Sequence, residues 1–172
     1  YCPVRMEQAQ MLGLLHSLKG NKIGILLPDW SGHFYKEITK GIDAAKELLR
    51  DFGTEIITEQ CEKELPSECI EKSDLLQQSG IKGIAICSKN HPSIAGRINA
   101  LVKEGIPVIT FNSDIPSSSR LCFVGQDEIQ GGRVAGELMS KCIPSGGKVL
   151  AAVGNLEFTG HKQRLQGFME QM

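Results

Sequence analysis

The chain has 172 residues, of which 41% are hydrophobic and 23% charged, and its formal net charge is -1. That length and composition fit about one globular domain, and the near-zero charge gives no sign of the basic surface typical of nucleic-acid binders. No apolar run approaches the roughly 20 residues of a membrane span, so no membrane partner is expected.

The first half of the chain alternates short apolar runs with segments of helical period. Lys22–Leu27 is the first predicted strand and ends at Pro28. Apolar residues from Phe34 to Leu49 recur every three or four positions and predict a helix that Gly53 ends. The alternation continues with a strand at Thr54–Thr58, a helix that begins at Pro66 and ends before Gly80, and a strand at Ile84–Cys87.

The second half continues the same alternation. A helix is predicted from about His91 to Gly105, with Pro92 in its first turn. Asp127 is a predicted N-cap, because Gln130 follows at capping-box spacing. The other predicted elements are strands at Pro107–Phe111, Arg120–Gly125 and Lys148–Val153 and a last helix at Gly160–Met172. Strands alternating with helices predict an α/β fold with a doubly wound parallel sheet.

Polar side chains collect where the predicted strands end. In a doubly wound sheet, ligands lie beyond the carboxyl ends of the strands. The candidates for ligand contact are therefore Asp29 after the first strand, Ser88 and Asn90 after the third, Asn112, Ser113 and Asp114 after the fourth, and Gln126 after the fifth. An alternative for Asn112 and Asp114 is a turn ahead of Pro116.

An aromatic cluster follows the first strand. Trp30, Phe34 and Tyr35 lie within six residues of each other and include the only tryptophan of the chain. Aromatic faces stack on the C–H face of a sugar ring while polar neighbours hold its hydroxyls. The alternative is that these rings pack into the first turn of the helix.

Basic residues near the start of the last helix are further candidates. His161 lies at a loop-to-helix junction, where it either caps the helix or contacts a ligand. Arg164 is either a surface charge or a planar fork that reaches ligand oxygens.

Motifs for catalysis and metal binding are missing. The chain has no GxSxG, GxGxxG or GxxxxGK[ST] pattern, and Ser145–Lys148 precedes a strand instead of opening a helix as a phosphate loop does. Six scattered cysteines show no CxxC spacing, and HExxH is absent too. We expect no enzyme activity, no metal and no cofactor, and we expect reduced thiols in a cytoplasmic protein.

Three stretches together resemble the lactose-repressor family of transcriptional regulators. They are KIGILLPDWSGHFYKEITKGIDAAKE, PVITFNSDIPSSSRLCFVGQDEIQGGRVAGELM and GHKQRLQGF. The same stretches resemble the sugar-binding periplasmic proteins, such as ribose-binding protein, which share the effector domain of those regulators. The resemblance extends from about Lys22 to the end of the chain.

The resemblance implies two α/β lobes around a ligand cleft, in the periplasmic-binding-protein type I fold. The first lobe would cover residues 22–125, and residues 126–172 would begin a second lobe that is truncated at Met172. Phe34 matches the family's aromatic residue after strand one. Asn112 and Ser113 match an acidic residue and a polar or basic one, so Asn replaces the acid here. Arg164, or Lys162 two residues earlier, matches the basic residue that the second lobe sends to the ligand.

The amino end bears on which branch of the family the chain resembles. Residues 1–21, with Tyr1-Cys2-Pro3 followed by Arg5–Leu18, resemble the linker and hinge helix of the repressors, although the segment is longer and lacks the usual Ala four positions after the Pro. The alternative is an ordinary amphipathic helix.

The resemblance implies a sensor that binds a small sugar or polyol and acts as a homodimer. It would control operator DNA through a helix-turn-helix domain that these residues do not contain. A solute-binding protein of a transporter is the second hypothesis, and a nucleotide- or phosphate-handling enzyme with an open sheet is the third. We expect Phe34→Ala and Asn112→Ala to weaken ligand binding and to leave the ligand-free melting temperature nearly unchanged.

Overall fold

A computed structural model describes residues 20–28, 33–63 and 65–172. In this part of the chain five strands form one parallel sheet. They are β1 (Lys22–Pro28), β2 (Glu55–Cys61), β3 (Gly83–Ile86), β4 (Val108–Phe111) and β5 (Cys122–Val124). The strand order is β2-β1-β3-β4-β5, with every pairing parallel. The predicted doubly wound parallel sheet is confirmed, and all its carboxyl ends meet at one edge.

Five helices accompany the strands in the described ranges. They are α1 (His33–Arg50), α2 (Pro66–Gln78), α3 (Pro92–Lys103), α4 (Glu128–Cys142) and α5 (Thr159–Gln171). The predicted boundaries hold because the local signals act as expected. Asp127 caps α4 by accepting a hydrogen bond from the Gln130 N–H at 3.0 Å. Gly80 and Gly105, each with φ 84°, follow α2 and α3 in the left-handed conformation that favours glycine.

The two faces of the sheet bury alternate residues of each strand. Leu26, Ile84 and Val108 face α2 and α3 and join the larger core with Leu76, Ile98 and Leu101. Leu27 and Cys87 face the other way and pack with Ile42 of α1. Each fully buried Leu or Ile contributes roughly 1.5–3 kcal/mol. The core therefore fixes the strands, and with them the positions of the side chains that follow each strand end.

The helices α4 and α5 cross at unusually short range. Gly132 and Gly136 of α4 pack against the backbone of α5, Gly167 of α5 packs against the backbone of α4, and all three are buried. A Cβ built on Gly132 would lie 2.1 Å from the Arg164 carbonyl oxygen, and one on Gly167 would lie 2.0 Å from the Ile129 carbonyl oxygen. Only glycine permits this contact, so the crossing fixes α5 against the first turns of α4.

Five cysteines lie in the described residues. Cys61, Cys69 and Cys87 are buried, whereas Cys122 and Cys142 are exposed. The hydrogen bond with the Cys69 thiol and burial raise the pKa of Cys61 well above its usual range. The Cys61 thiol therefore stays protonated and serves as a small core residue.

The sixth predicted strand is wrong. Residues 148–153 have no regular secondary structure, and Leu150 is 94% exposed. A strand depends on a ladder partner, and no strand of the described ranges pairs with this apolar run.

The predicted linker at residues 1–21 lies almost wholly outside the described residues, and the division at residue 125 stays a prediction. No helix among the described residues is both long and apolar enough to cross a membrane.

Candidate functional site

A cavity of about 590 Å³ opens at the carboxyl ends of β4 and β5. Its walls come from the start of α1, the ends of these two strands, the first turn of α4 and the start of α5. The lining residues are Phe34, Tyr35, Ile38, Phe111, Asn112, Ser113, Val124, Gly125, Gln126, Glu128, Phe158, Gly160, His161 and Arg164. Seven of the predicted site residues, Phe34, Tyr35, Asn112, Ser113, Gln126, His161 and Arg164, are among them.

Asn112 follows β4 in a conformation that few side chains adopt. Its φ of 61° makes it the one non-glycine residue with a positive φ in the described ranges. Its N–H donates to the Val124 carbonyl oxygen at 2.9 Å, and its side-chain amide donates to the Cys87 sulfur at 3.6 Å. Such strain persists only when surrounding contacts impose it, and it is concentrated at functional sites.

Ser113 contributes a buried hydroxyl without a partner. The residue is 2% exposed, and its N–H donates to the Phe111 carbonyl oxygen at 2.6 Å. Its Oγ has no hydrogen-bond partner in the part of the chain that the structure describes. A buried hydroxyl left unpaired costs about 1–3 kcal/mol. A ligand hydroxyl in the cavity would satisfy it.

The first turn of α1 supplies the aromatic wall. The Phe34 and Tyr35 rings meet edge to face, with centroids 5.4 Å apart and planes at 79°. Phe34 is 57% exposed, which is unusual for a ring that only fills a core. Its side chain is therefore free to stack on a ligand.

The opposite wall carries a basic side chain that is already paired. The Arg164 Nε donates to the Glu128 Oε2 at 2.8 Å, and a second nitrogen of the same guanidinium contacts that oxygen. The Glu128 side chain is 6% exposed and that of Arg164 is 53% exposed. Both side chains of the pair line the cavity.

His161 is held by its own loop. Its Nδ1 lies 3.1 Å from the Asn155 backbone nitrogen and 3.0 Å from the Asn155 carbonyl oxygen. The Phe158 ring lies beside it, with centroids 5.7 Å apart. These contacts fix the imidazole at the cavity wall.

Asp114 does not line the cavity. Its carboxylate accepts hydrogen bonds from the Thr110 hydroxyl and the Ile115 N–H, both at 2.7 Å, and from Arg120 at 2.6 Å. Thr110, Ile115 and Arg120 together occupy both carboxylate oxygens. Asp114 therefore stabilises the turn, as the alternative interpretation of the sequence has it. Its carbonyl oxygen accepts from the Thr159 hydroxyl at 2.7 Å, which ties this turn to the start of α5.

The polar residues after β3 lie elsewhere. Ser88 hydrogen-bonds the buried Cys69 thiol. Asn90 donates its N–H to the Glu157 carbonyl oxygen at 2.9 Å, and the Lys89 ammonium pairs with the Glu157 carboxylate at 3.0 Å. That hydrogen-bonded ion pair lowers the pKa of Glu157. These residues bridge two loops and do not reach the cavity.

Three further predicted residues are not among the described lining residues. Asp29 and Trp30 fall outside the described residues. Lys162 is exposed and absent from the lining, so of the two basic candidates the structure places Arg164 at the cavity.

Sequence reasoning missed Glu128. It follows the N-cap Asp127, where an acidic residue is ordinarily explained by the helix dipole. Only its burial, and its pairing with a residue 36 positions later, reveal its place in the wall. The GHKQRLQGF stretch pointed to Arg164 but carried no signal for its partner.

A smaller apolar hollow of about 310 Å³ adjoins the cavity. It lies between α4, α5 and residues 149–154 and shares His161 and Arg164 with the larger one. Polar donors and acceptors converge on the larger cavity, which is therefore the candidate binding site. No group of three or more His, Cys, Asp or Glu in the described ranges is arranged to hold a metal ion.

Known proteins share this architecture. The chain is 24% identical over 156 residues to the ribose import binding protein RbsB of Bacillus subtilis (strain 168), which covers 88% of this chain and 50% of that protein. It is 26% identical over 154 residues to the HTH-type transcriptional regulator DegA of the same organism, covering 88% and 43%. The chain thus spans about half the length of the curated relatives it matches.

A solved structure agrees with the described fold. The solute-binding protein of an ABC transporter from Burkholderia graminis C4D1M, in complex with D-arabinose, superposes with a TM-score of 0.81 at 23% identity, covering 90% of this chain and 52% of that one. The family of periplasmic binding protein domains matches residues 23–172. By that match and by its fold, the chain belongs to the periplasmic binding protein domain family.

Proposed function

We propose that the cavity binds a small neutral sugar or polyol and leaves it chemically unchanged. The unpaired Ser113 hydroxyl carries this proposal, because it is buried and lines the cavity. A ligand hydroxyl both donates and accepts, and therefore satisfies such a group. The exposed Phe34 ring opposite offers an apolar face for a sugar ring.

The names of the relatives support the same ligand class. Ribose import and a D-arabinose complex are named among them. The cavity volume of about 590 Å³ falls within the range of small-molecule sites. No nucleophile with an adjacent base is among its described lining residues, and binding without turnover is the function that we propose.

Ser113→Ala tests the proposal in the full chain. Removing an unpaired buried hydroxyl leaves the ligand-free melting temperature unchanged or raises it. Losing its hydrogen bond to a sugar weakens binding by roughly threefold to tenfold. Calorimetric titration with neutral pentoses, hexoses and polyols gives the affinities, and scanning calorimetry gives the melting temperature.

Ser140→Ala is the matched control, because that serine lies on the far part of α4 and its hydroxyl bonds the Glu137 carbonyl oxygen. It should change neither measurement by much. If the unmodified protein bound none of the neutral compounds, the proposal would fall.

We further propose that this binding site is the sensor of a transcriptional regulator of the lactose-repressor type. The HTH-type regulator among the relatives and the free Cys61, Cys69, Cys122 and Cys142 thiols support this assignment. In this proposal the protein is a cytoplasmic homodimer, and the lobes divide near residue 125. Ligand binding closes the lobes, and the differential affinity for the two states changes operator binding.

A solute-binding protein of a sugar transporter is the second candidate, favoured by the ribose import relative. The coding sequence upstream of these residues discriminates between the two. A helix-turn-helix supports the regulator, and a secretion signal supports the transporter component.

A further inference from the structure

The charges that line the cavity cancel. Among its described lining residues Glu128 is the one carboxylate and Arg164 the one guanidinium, and His161 and Tyr35 carry the other two titratable side chains. Asp114 and Arg120 pair with each other outside the lining. From the described lining residues, an entering ligand therefore meets polar and aromatic groups and one ion pair of zero net charge.

The position of Glu128 keeps this ion pair intact. Its carboxylate is 6% exposed and lies in the first turn of α4, directly after the Asp127 cap. A Cβ built on Gly160 would lie 3.5 Å from the Glu128 Oε1, so the backbone of α5 packs against the carboxylate. Releasing Arg164 would leave a buried carboxylate without a counter-charge, which is strongly unfavourable.

One edge of the Arg164 guanidinium is therefore occupied by Glu128. Its Nε and one terminal nitrogen contact Glu128. The remaining N–H groups of a guanidinium can still donate to hydroxyl oxygens. An incoming carboxylate or phosphate would gain the attraction of Arg164 but would also meet the repulsion of Glu128, which lines the same cavity. The repulsion therefore offsets part of the attraction that an unpaired guanidinium would exert on the anion.

We propose that Glu128 makes the cavity select uncharged, hydroxyl-rich ligands over their anionic analogues by holding Arg164 in a neutral pair. The proposal rests on the proposed function and deepens it by excluding sugar acids and sugar phosphates. Without that carboxylate, Arg164 would be an unpaired cation in the wall and would attract anions.

The test compares ligands that differ only in charge. D-Glucose and D-galactose are each titrated beside D-glucuronate and D-galacturonate, with inorganic phosphate as an anion independent of sugar shape. The proteins are the unmodified full chain, Glu128→Gln, and Glu137→Gln as a control. Glu137 is an exposed glutamate of the same helix that pairs with Lys141 instead.

Glu128→Gln should gain affinity for the uronates or phosphate by about tenfold or more, or about 1.4 kcal/mol. The unmodified protein and Glu137→Gln should show no such binding, and Glu128→Asp, which keeps the charge, should continue to exclude anions. If Glu128→Gln does not fold, Arg164→Gln carries the test, because its uncompensated carboxylate should increase affinity for cationic D-glucosamine.

Two results would overturn the inference. One is that Glu128→Gln gains no anion affinity while remaining folded, or that a folded Arg164→Gln gains none for D-glucosamine. The other is that the unmodified protein binds a uronate as tightly as the matching neutral sugar. Failure of the neutral sugars to bind the unmodified protein would remove the proposed function, and the phosphate titration would still decide the role of Glu128.

Discussion

Two neighbouring glycines of α4 offer a sharp test of how the binding wall is built. A methyl group added at Gly132 would lie 2.1 Å from the Arg164 carbonyl oxygen and 2.8 Å from the Phe168 nitrogen. Both are backbone atoms, so no side chain can move aside to admit it. One added at Gly131, the preceding residue of the same helix, meets nothing within 4 Å.

The magnitude follows from these distances. Ordinary van der Waals contact begins near 3.4 Å, so α4 and α5 would have to separate by about 1.3 Å to admit the Gly132 methyl. Overpacking of this kind costs typically 1–3 kcal/mol. In Gly131→Ala only the helix propensity changes, which favours alanine by roughly 0.5–1 kcal/mol. The two variants should therefore differ by about 3 kcal/mol in unfolding free energy.

Urea unfolding followed by circular dichroism measures this difference, and hydrogen exchange of the α4 and α5 amides locates it. For a chain of this size the gap corresponds to roughly 6–12 °C in melting temperature. Gly132→Ala should also weaken sugar binding, because Arg164 moves away from Glu128. Equal stability of the two variants would refute the close crossing as the structure has it.

Three other predictions concern single residues of the site and its surroundings. Because Asn112 has φ 61°, Asn112→Ala should be about 1 kcal/mol less stable than Asn112→Gly, although both lose ligand affinity; equal melting temperatures would contradict this. Phe34→Ala should weaken sugar binding roughly threefold to tenfold, and the ligand-free melting temperature should shift little because the ring is exposed; a large loss of stability would make it a core residue. The hydrogen-bonded pair with Lys89 lowers the pKa of Glu157. The pair therefore stabilises the fold at pH values above the ordinary carboxyl pKa of about 4.5, and this contribution is lost as the pH falls through the lowered pKa. Urea unfolding of Glu157→Gln and the unmodified protein should therefore differ at neutral pH and converge in acid, and a pH-independent difference would contradict the ion pair.

The left-handed Asn112 corrects one expectation from the sequence. Asn112→Ala was expected to leave the ligand-free protein unaffected, but alanine tolerates that conformation poorly. The glycine variant separates ligand contact from backbone strain. For Phe34, the exposed ring fits the original expectation, which remains to be measured.

The parallel sheet could be predicted because each of its strands is a short apolar run closed by a turn or a helix start. Hydrophobic period and the stops at Gly80 and Gly105 act locally, so they are visible in a short window of sequence. The same local signal failed at Lys148–Val153. That run is apolar enough for a strand, but a ladder also needs a neighbour, which local sequence does not specify.

The candidate site residues show the same distinction between local signals and long-range contacts. Asn112 and Ser113 could be placed at a strand end from the sequence, whereas the unpaired state of the Ser113 hydroxyl depends on distant neighbours. Glu128 was missed because its role depends on Arg164, which is remote in the chain. Asp114 was assigned to the ligand because the sequence does not show that Arg120 and Thr110 occupy its oxygens.

The distribution of thiols has a practical consequence for watching the protein move. Cys122 on β5 and Cys142 at the end of α4 are accessible, whereas Cys61, Cys69 and Cys87 are sealed in the folded interior. Once Cys2 is replaced by serine, maleimide dyes should therefore attach at two native positions, one on each side of residue 125. Energy transfer between those dyes would report in real time whether adding a sugar brings the two parts of the molecule together, with no engineered cysteine.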